Sequence, residues 1–321
     1  MKTLVLSANS LSIYDRCNRA YYNYKVVGRR AVRSAAGLIA GTAIHSAVER
    51  LNTGQDVPAQ EAAIDETLAE TPMPPDDYRS AGFLKDALAA FRAELGGLFV
   101  GWKIEEIEEQ GELELGVVEY KEPLLGRTKA VIRWEYRRDM VGADPNGRRY
   151  VCDYKSASRN EDVEFKASQN SGALMGYCWS WNKQHPDRPV IGAQLVRIIM
   201  RKPTRTGVSF EFPKDSPIFF QPERLEEWQR HTLRKAKEIL ERDPNDPDDW
   251  PLACNPVGCC RTQFGACDYL ESCCLKPEDR PLHLASDAYE SSDHERPAKG
   301  AGAVRTVPVQ SPTEPQPTNT P

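Results

Sequence analysis

No stretch of this 321-residue chain approaches the roughly 20 consecutive apolar residues of a membrane span. A bilayer-spanning protein is therefore not expected. The N-terminal "MKTLVLSANSLSIYDRC" lacks the architecture of a secretory leader. It has one lysine, and polar residues interrupt its apolar stretch almost at once, so it reads as a folded N-terminus and the protein as cytoplasmic. An overall positive charge is also missing. The formal net charge is −5, which argues against a uniformly basic nucleic-acid binder while leaving room for local patches. No internal repeat is visible. From about residue 286 onward, "SSDHERPAKGAGAVRTVPVQSPTEPQPTNTP" almost lacks large apolar residues and is rich in Pro, Ser and Thr. Such a segment cannot bury enough surface to offset its own ordering, so 286–321 is expected to be a disordered tail, at most a tether to a protein partner.

What is present is a folded segment over 1–285. Hydrophobic residues make up 40% of the chain, enough for a substantial core. "LSIYDRCNRAYYNYK" reads as a short helix carrying three tyrosines. "GLIAGTAIHSAVERL" sets Ala40, Ile44, Ala47, Val48 and Leu51 on one helical stripe with His45 at its edge. Residues 52–79 form an acid- and Pro-rich excursion, and "AGFLKDALAAFRAELGGLF" is a second amphipathic helix, its Gly96-Gly97 pair near the end. The pattern then changes to strands: one or two within 103–120, one at 127–138, a turn at "DPNG", and a return strand at 148–157. A helix over 167–184 follows, then paired strands in "PVIGAQLVRIIMRK" and "GVSFEFP", then a long charged helix opening at Pro222. The order predicts an α/β domain with a central mixed sheet flanked by helices.

Asp153 and Lys155 stand two apart on the return strand, so they project together while Cys152 and Tyr154 face the other side. A carboxylate beside an ammonium suits metal-dependent phosphodiester hydrolysis. Taken alone, the same pair is a surface contact of little consequence. In the same way, His45 alone reads as a core-edge histidine.

Other segments accompany the pair: "SIYDRCNRAYY", "AGTAIHSAVE", "GRTKAVIRW", "YVCDYKSAS" and "SGALMGYCWSW", followed by clustered cysteines. In that order they resemble the PD-(D/E)XK nuclease superfamily, in particular RecB-like exonucleases of the CRISPR-associated and phage type that carry a cysteine-bound iron–sulfur cluster. The resemblance spans about residues 8–276. It implies a restriction-endonuclease-like core acting on DNA, with Mg²⁺ or Mn²⁺ held by His45, Asp153 and the Tyr154 carbonyl, and Lys155 as the catalytic lysine. It also implies a Gln and a Tyr on the next helix near the DNA backbone. Tyr177 fits that pattern, while Gln169 lies two turns earlier rather than one, with Ala173 in the expected place. The family's first acidic ligand, expected in "GRTKAVIRW", is replaced by Lys129, and a shift of four residues offers Arg133 instead. Glu135, further along the same face, is the nearest acid. Two readings follow: a nuclease whose site is completed by another acid, or a degenerate fold that grips DNA or a partner without cutting.

Six of the nine cysteines fall between 254 and 274. The resemblance makes Cys17, Cys260, Cys267 and Cys273 the ligands of a [4Fe–4S] cluster that ties the two chain ends together. Four thiolates also suit Zn²⁺. Cys259 and Cys274 adjoin two of the four as alternatives, and Cys152 and Cys178 read as buried small side chains. Two basic stretches are candidates for DNA phosphates. Residues 15–33 carry six cations against Asp15, including Arg16, Arg19, Arg29 and Arg30, and a second stretch carries Arg201 and Lys202. Tyr21, Tyr22 and Trp179 are offered as base-stacking aromatics, with core packing as the alternative.

Overall fold

The computed structural model describes residues 1–32, 36–95, 99, 101–122, 126–158, 167–213, 215–253, 256–262 and 265–291. Arg33, the Gly96-Gly97 pair, Cys254 and residues 292–321 lie outside the described residues.

The chain opens with a strand, β1 (Lys2–Leu6), in a region read from sequence only as a folded start. Helices α1 (Ala8–Arg16) and α2 (Asn18–Tyr21) follow, the latter running into a π turn at Tyr22–Val26. A short strand, β2 (Arg29–Ala31), leads to α3 (Ala36–Asn52), α4 (Val57–Glu70) and α5 (Ala81–Leu95). Three strands make the centre: β3 (Lys103–Glu122), β4 (Gly126–Ala143) and β5 (Arg149–Ala157). Next come α6 (Gly172–Gln184), β6 (Gly192–Met200), β7 (Phe210–Glu211), β8 (Ile218–Phe219) and α7 (Pro222–Leu240). The end comprises β9 (Arg261–Thr262), β10 (Gly265–Ala266), α8 (Leu270–Cys274), α9 (Arg280–Leu284) and β11 (Tyr289–Ser291).

Seven strands form one mixed sheet with β3 antiparallel to β4, β4 antiparallel to β5 and β5 parallel to β6. The expected α/β architecture is thus observed. β4 is long enough to serve two partners on one edge. β1 runs parallel to it only as far as Leu6 opposite Trp134, and β5 joins it only from Met140 opposite Cys152. Between those contacts the edge of β4 is a fork, and Glu135 and Asp139 lie in it.

The sheet separates two apolar clusters. One packs α6 and α7 against Ala130, Ile132, Trp134 and Tyr136 of β4; the other packs α3 and α5 against Cys152, Tyr154, Val196 and Ile198. Even-numbered residues of β4 face the first cluster through Tyr136, yet Met140 faces the second and Val141 the first. The alternation expected of a regular strand therefore inverts between them, at the level of Asp139. Two glycines set the helices close. A Cβ on Gly41 of α3 would lie 2.9 Å from Ser156 Oγ on β5, and one on Gly176 of α6 would lie 2.4 Å from Trp134 Cζ2. These close approaches deliver His45 and Tyr177, on the same helices, to the fork.

The folded part runs past residue 285. β11 pairs with β2, so Tyr289–Ser291 belongs to the fold rather than to the tail boundary expected at 286. A small cluster of Ala20, Tyr269, Leu284 and Tyr289 joins the chain ends, with Cys17, Cys267 and Cys273 against it.

Candidate active site

Counting back from the Asp144–Gly147 turn shows how the site is made. Gly142 faces Tyr150 and Met140 faces Cys152, so the next matching step sets Asp139 against Asp153. The two strands separate there, and Asp139 Oδ2 accepts the Tyr154 backbone N–H at 2.8 Å in place of a ladder bond. Asp153 is 3% exposed in its side chain and holds Lys155 Nζ at 2.9 Å. His45 Nδ1, from α3, lies 3.8 Å from Asp139 Oδ2. On the other side of β4, Ile107 pairs with Met140 and Glu109 with Arg138, which puts Glu108 opposite Asp139. Ligand atoms of His45, Glu108 and Asp139 all fall within 4.8 Å of one another. Arg137 donates to Glu108 Oε2 from Nε at 2.9 Å and from Nη2 at 2.6 Å.

The electrostatics follow from crowding anions in a dry crevice. Burial, and then the charge of Asp153, raise the Asp139 carboxyl; His45, the Tyr154 N–H and Lys155 oppose this. Burial lowers the His45 imidazole against the pull of Asp139, so it favours the neutral form that can ligate a cation. Burial would lower Lys155, but Asp153, Tyr177 and Asp139 outweigh it, and the ammonium is held firmly charged. Tyr177 is raised by burial and by Asp153, which places its hydroxyl in the same field. Gln169, by contrast, is exposed in the turn before α6, and no interaction links it to these groups.

A model of the PD-(D/E)XK nuclease superfamily matches residues 5–274. The chain belongs to that superfamily. Among solved structures it is similar to a protein from Eubacterium rectale described as "Putative exonuclease", at 14% identity and a TM-score of 0.46, over 80% of this chain and 87% of that one. It is also similar to SSO0001, at 15% identity and a TM-score of 0.29, over 75% and 78% of the two chains. No curated protein matches the chain.

Lys129, expected at the position of the first acidic ligand, lies away from Asp153. Its side chain is 61% exposed and paired with Glu119 at 3.2 Å. It stands ten positions before Asp139 on the strand, about 33 Å at the usual rise. Arg133 lies between them on β4 and pairs with Glu112. Asp139 is the carboxylate that faces Asp153. The sequence carried a signal for it: a hairpin closing at "DPNG" fixes which residues are opposite, and 139 and 153 are such a pair. Glu108 was missed as well, and no local pattern marks it.

The basic stretches are mostly spoken for. Arg19 is buried, donating to the Trp250 carbonyl at 2.8 Å and the Pro247 carbonyl at 2.5 Å. Arg30 pairs with Glu290 at 2.7 Å, and Arg201 with Glu211 at 2.6 Å. Arg16 and Arg29 are half-buried, and Lys202 is exposed. Tyr21 and Trp179 are buried core residues, Tyr21 stacked on Trp250, so they offer no face to a base. Tyr22 also packs against Trp250. Among the described residues no helix is long and apolar enough to cross a membrane.

The cysteines expected at the two chain ends do converge. Burial, followed by the proximity of Cys17 and Cys267, pushes the Cys273 thiol up to about 11. Burial also raises Cys267, and Cys259 feels both Cys17 and Cys260. The Cys267 N–H donates to the Cys260 carbonyl at 2.8 Å, and the Cys259 thiol donates to the Arg16 carbonyl at 2.8 Å. Cys152 and Cys178 are fully buried, each among apolar neighbours.

Proposed function

We propose that the protein is a metal-dependent deoxyribonuclease of the RecB-like exonuclease type, acting on DNA with a free end. The observation that carries this reading is the fork itself: Asp139 and Asp153 face one another where β4 and β5 part, with His45 above and Lys155 beside them. The donors are hard oxygens and one imidazole, a set that fits Mg²⁺ or Mn²⁺. His45, Asp139, Asp153 and the Tyr154 carbonyl would hold the ion, which when bound lowers the pKa of a water and screens charge on the phosphate. Lys155 has its own part. Held charged by Asp153, it can donate to a phosphate oxygen as negative charge accumulates there. Tyr177, from α6, borders the same crevice and can orient the sugar–phosphate backbone. The degenerate alternative rested on Lys129; the carboxylate of Asp139 facing Asp153 supports the active reading instead.

The iron–sulfur clasp belongs to the same proposal. Thiols from both chain ends converge, and each thiol that ligates a metal gives up its proton. A [4Fe–4S] cluster is proposed over Zn²⁺ because closure of an N-terminal cysteine onto C-terminal ones is the arrangement the family resemblance implies. Cys17, Cys260, Cys267 and Cys273 are the proposed ligands, with Cys259 engaged by the Arg16 carbonyl.

The test is anaerobic purification followed by incubation with end-labelled linear single- and double-stranded DNA, with and without Mn²⁺ or Mg²⁺. Degradation from an end that needs the metal and vanishes in Lys155→Ala is expected. Undegraded DNA under all metals, with the protein folded, would refute the reading.

A further inference from the structure

Glu108 and Arg137 are not accounted for by the ligand set above, and their arrangement is unusual. Glu108 is the only non-glycine residue with positive φ, 49°, among the described residues. Left-handed backbone costs a residue with a Cβ on the order of 1 kcal/mol, and a strained position persists where surrounding structure imposes it. What it secures here is a carboxylate, 13% exposed, beside His45 and Asp139 on the strand opposite the fork. That carboxylate is occupied by Arg137, two residues before Asp139 on the same strand.

We propose that Glu108 is a further metal-binding residue and that Arg137 is a built-in stand-in for the cation, displaced when a divalent ion binds and then available to a phosphate oxygen of the nucleic acid. The inference rests on the nuclease reading of the same site. Its geometric basis is simple. Oxygen ligands of one Mg²⁺ or Mn²⁺ at about 2.1 Å lie about 3 Å apart when adjacent. The ligand atoms now lie within 4.8 Å of one another, with His45 Nδ1 3.8 Å from Asp139 Oδ2, so adjacent ligands must draw together to share one ion. The Arg137 bonds to Glu108 Oε2 are 2.6 and 2.9 Å. Drawing Oε2 toward the ion lengthens both bonds to an Arg137 that stays in place. Guanidinium and ion therefore compete for one carboxylate. Arg137 is 36% exposed, so its released head already reaches solvent, and its planar fork matches a phosphate. Loading the ion and gripping the phosphate would be coupled through Glu108.

The experiment measures Mn²⁺ binding to the full-length protein without nucleic acid, by electron paramagnetic resonance and by calorimetry. The variants are Glu108→Gln, Arg137→Gln and, as a reference, Asp139→Asn, with melting temperatures taken in parallel. Glu108→Gln is expected to weaken Mn²⁺ binding about 10–100-fold. Arg137→Gln is expected to tighten it about fivefold, because a competing cation is gone. It should also weaken DNA binding when Ca²⁺ replaces the active ion. A purely structural ion pair predicts no such opposition of sign. If Glu108→Gln and Arg137→Gln both bind Mn²⁺ as the native protein does, or both weaken it, the proposal is overturned. In that case loss of binding in Asp139→Asn would leave the nuclease reading standing. Absence of Mn²⁺ binding by the native protein would remove the reading beneath it.

Discussion

Asp139→Asn separates charge from shape at the fork. Asp139 Oδ2 accepts the Tyr154 N–H at 2.8 Å, and an asparagine carbonyl can take the same bond. Exchanging a charged acceptor for a neutral one costs about 1 kcal/mol. Against this, Asp139 is a carboxyl raised by burial and by Asp153, so removing its charge relieves repulsion. The two effects oppose, and the melting temperature without metal should stay within about 3 °C of the native protein, at about 2–4 °C per kcal/mol. With metal the variants part company. The native protein at a hundredfold excess of Mn²⁺ over its Kd gains about 2.7 kcal/mol, or about 5–10 °C. Asp139→Asn should gain almost none of that. Its cleavage rate should fall at least about 10³-fold, a loss of about 4 kcal/mol in transition-state stabilisation. Lys129→Asp is the paired control. About 33 Å along β4 from the fork, it should leave cleavage within about twofold of native, since its partner Glu119 forms only an exposed ion pair. Cleavage by Asp139→Asn within tenfold of native, or a large gain in Lys129→Asp, would refute the assignment of Asp139.

Three other perturbations test the frame around the site. Arg19→Met should lower stability by about 2–4 kcal/mol, because the Trp250 and Pro247 carbonyls lose a buried donor; thermal melts check this, and an unchanged salt slope of DNA binding separates it from a phosphate contact. Gly176→Ala places a methyl 2.4 Å from Trp134 Cζ2, so α6 must move or Trp134 must leave its position. A loss of about 2 kcal/mol or more is expected by denaturant titration, with reduced cleavage because Tyr177 moves with the helix. Cys17→Ser should abolish the visible absorbance of an anaerobically prepared sample and lower the melting temperature by about 5 °C or more, since the N-terminal tie to the terminal cysteines is cut; a variant with native absorbance would remove Cys17 from the ligand set.

The parts of this molecule that were legible in its sequence are those governed by local periodicity. Asp153 and Lys155 share a face because strand residues two apart do; the helical stripe placed His45 only at its edge, and its site role came from the family resemblance. The converging cysteines were read through family order, not geometry. Asp139 was passed over for a different reason. The first acid was sought at a motif-like position near Gly126, whereas the hairpin turn fixes the partner of Asp153 by counting. Regular alternation was also assumed along β4, yet it inverts between Tyr136 and Met140. Glu108 was invisible because left-handed glutamate has no sequence signature. Arg19, Arg30 and Arg201 were counted as surface charge because composition cannot see the partners that folding brings to them.

The fork explains why these exceptions gather in one place. A carboxylate inside a continuous ladder would meet paired backbone on both edges and find no room for an ion. By pairing β1 with β4 only as far as Trp134 and β5 only from Met140, the sheet leaves the edge of β4 open where Asp139 stands. Three carboxylates, of Glu108, Asp139 and Asp153, then face only two fixed cations, Arg137 and Lys155, beside a histidine that favours neutrality. With Glu49 also acting on Glu108 and Arg137, negative charge is in excess in the crevice before anything binds. Burial, and then the charge of Asp153, raise the Asp139 carboxyl, and a divalent cation is the species whose entry would relieve both. Strain at Glu108, inverted alternation in β4 and the broken ladder are thus three consequences of one requirement: to hold anions together at a sheet edge that the core would otherwise close.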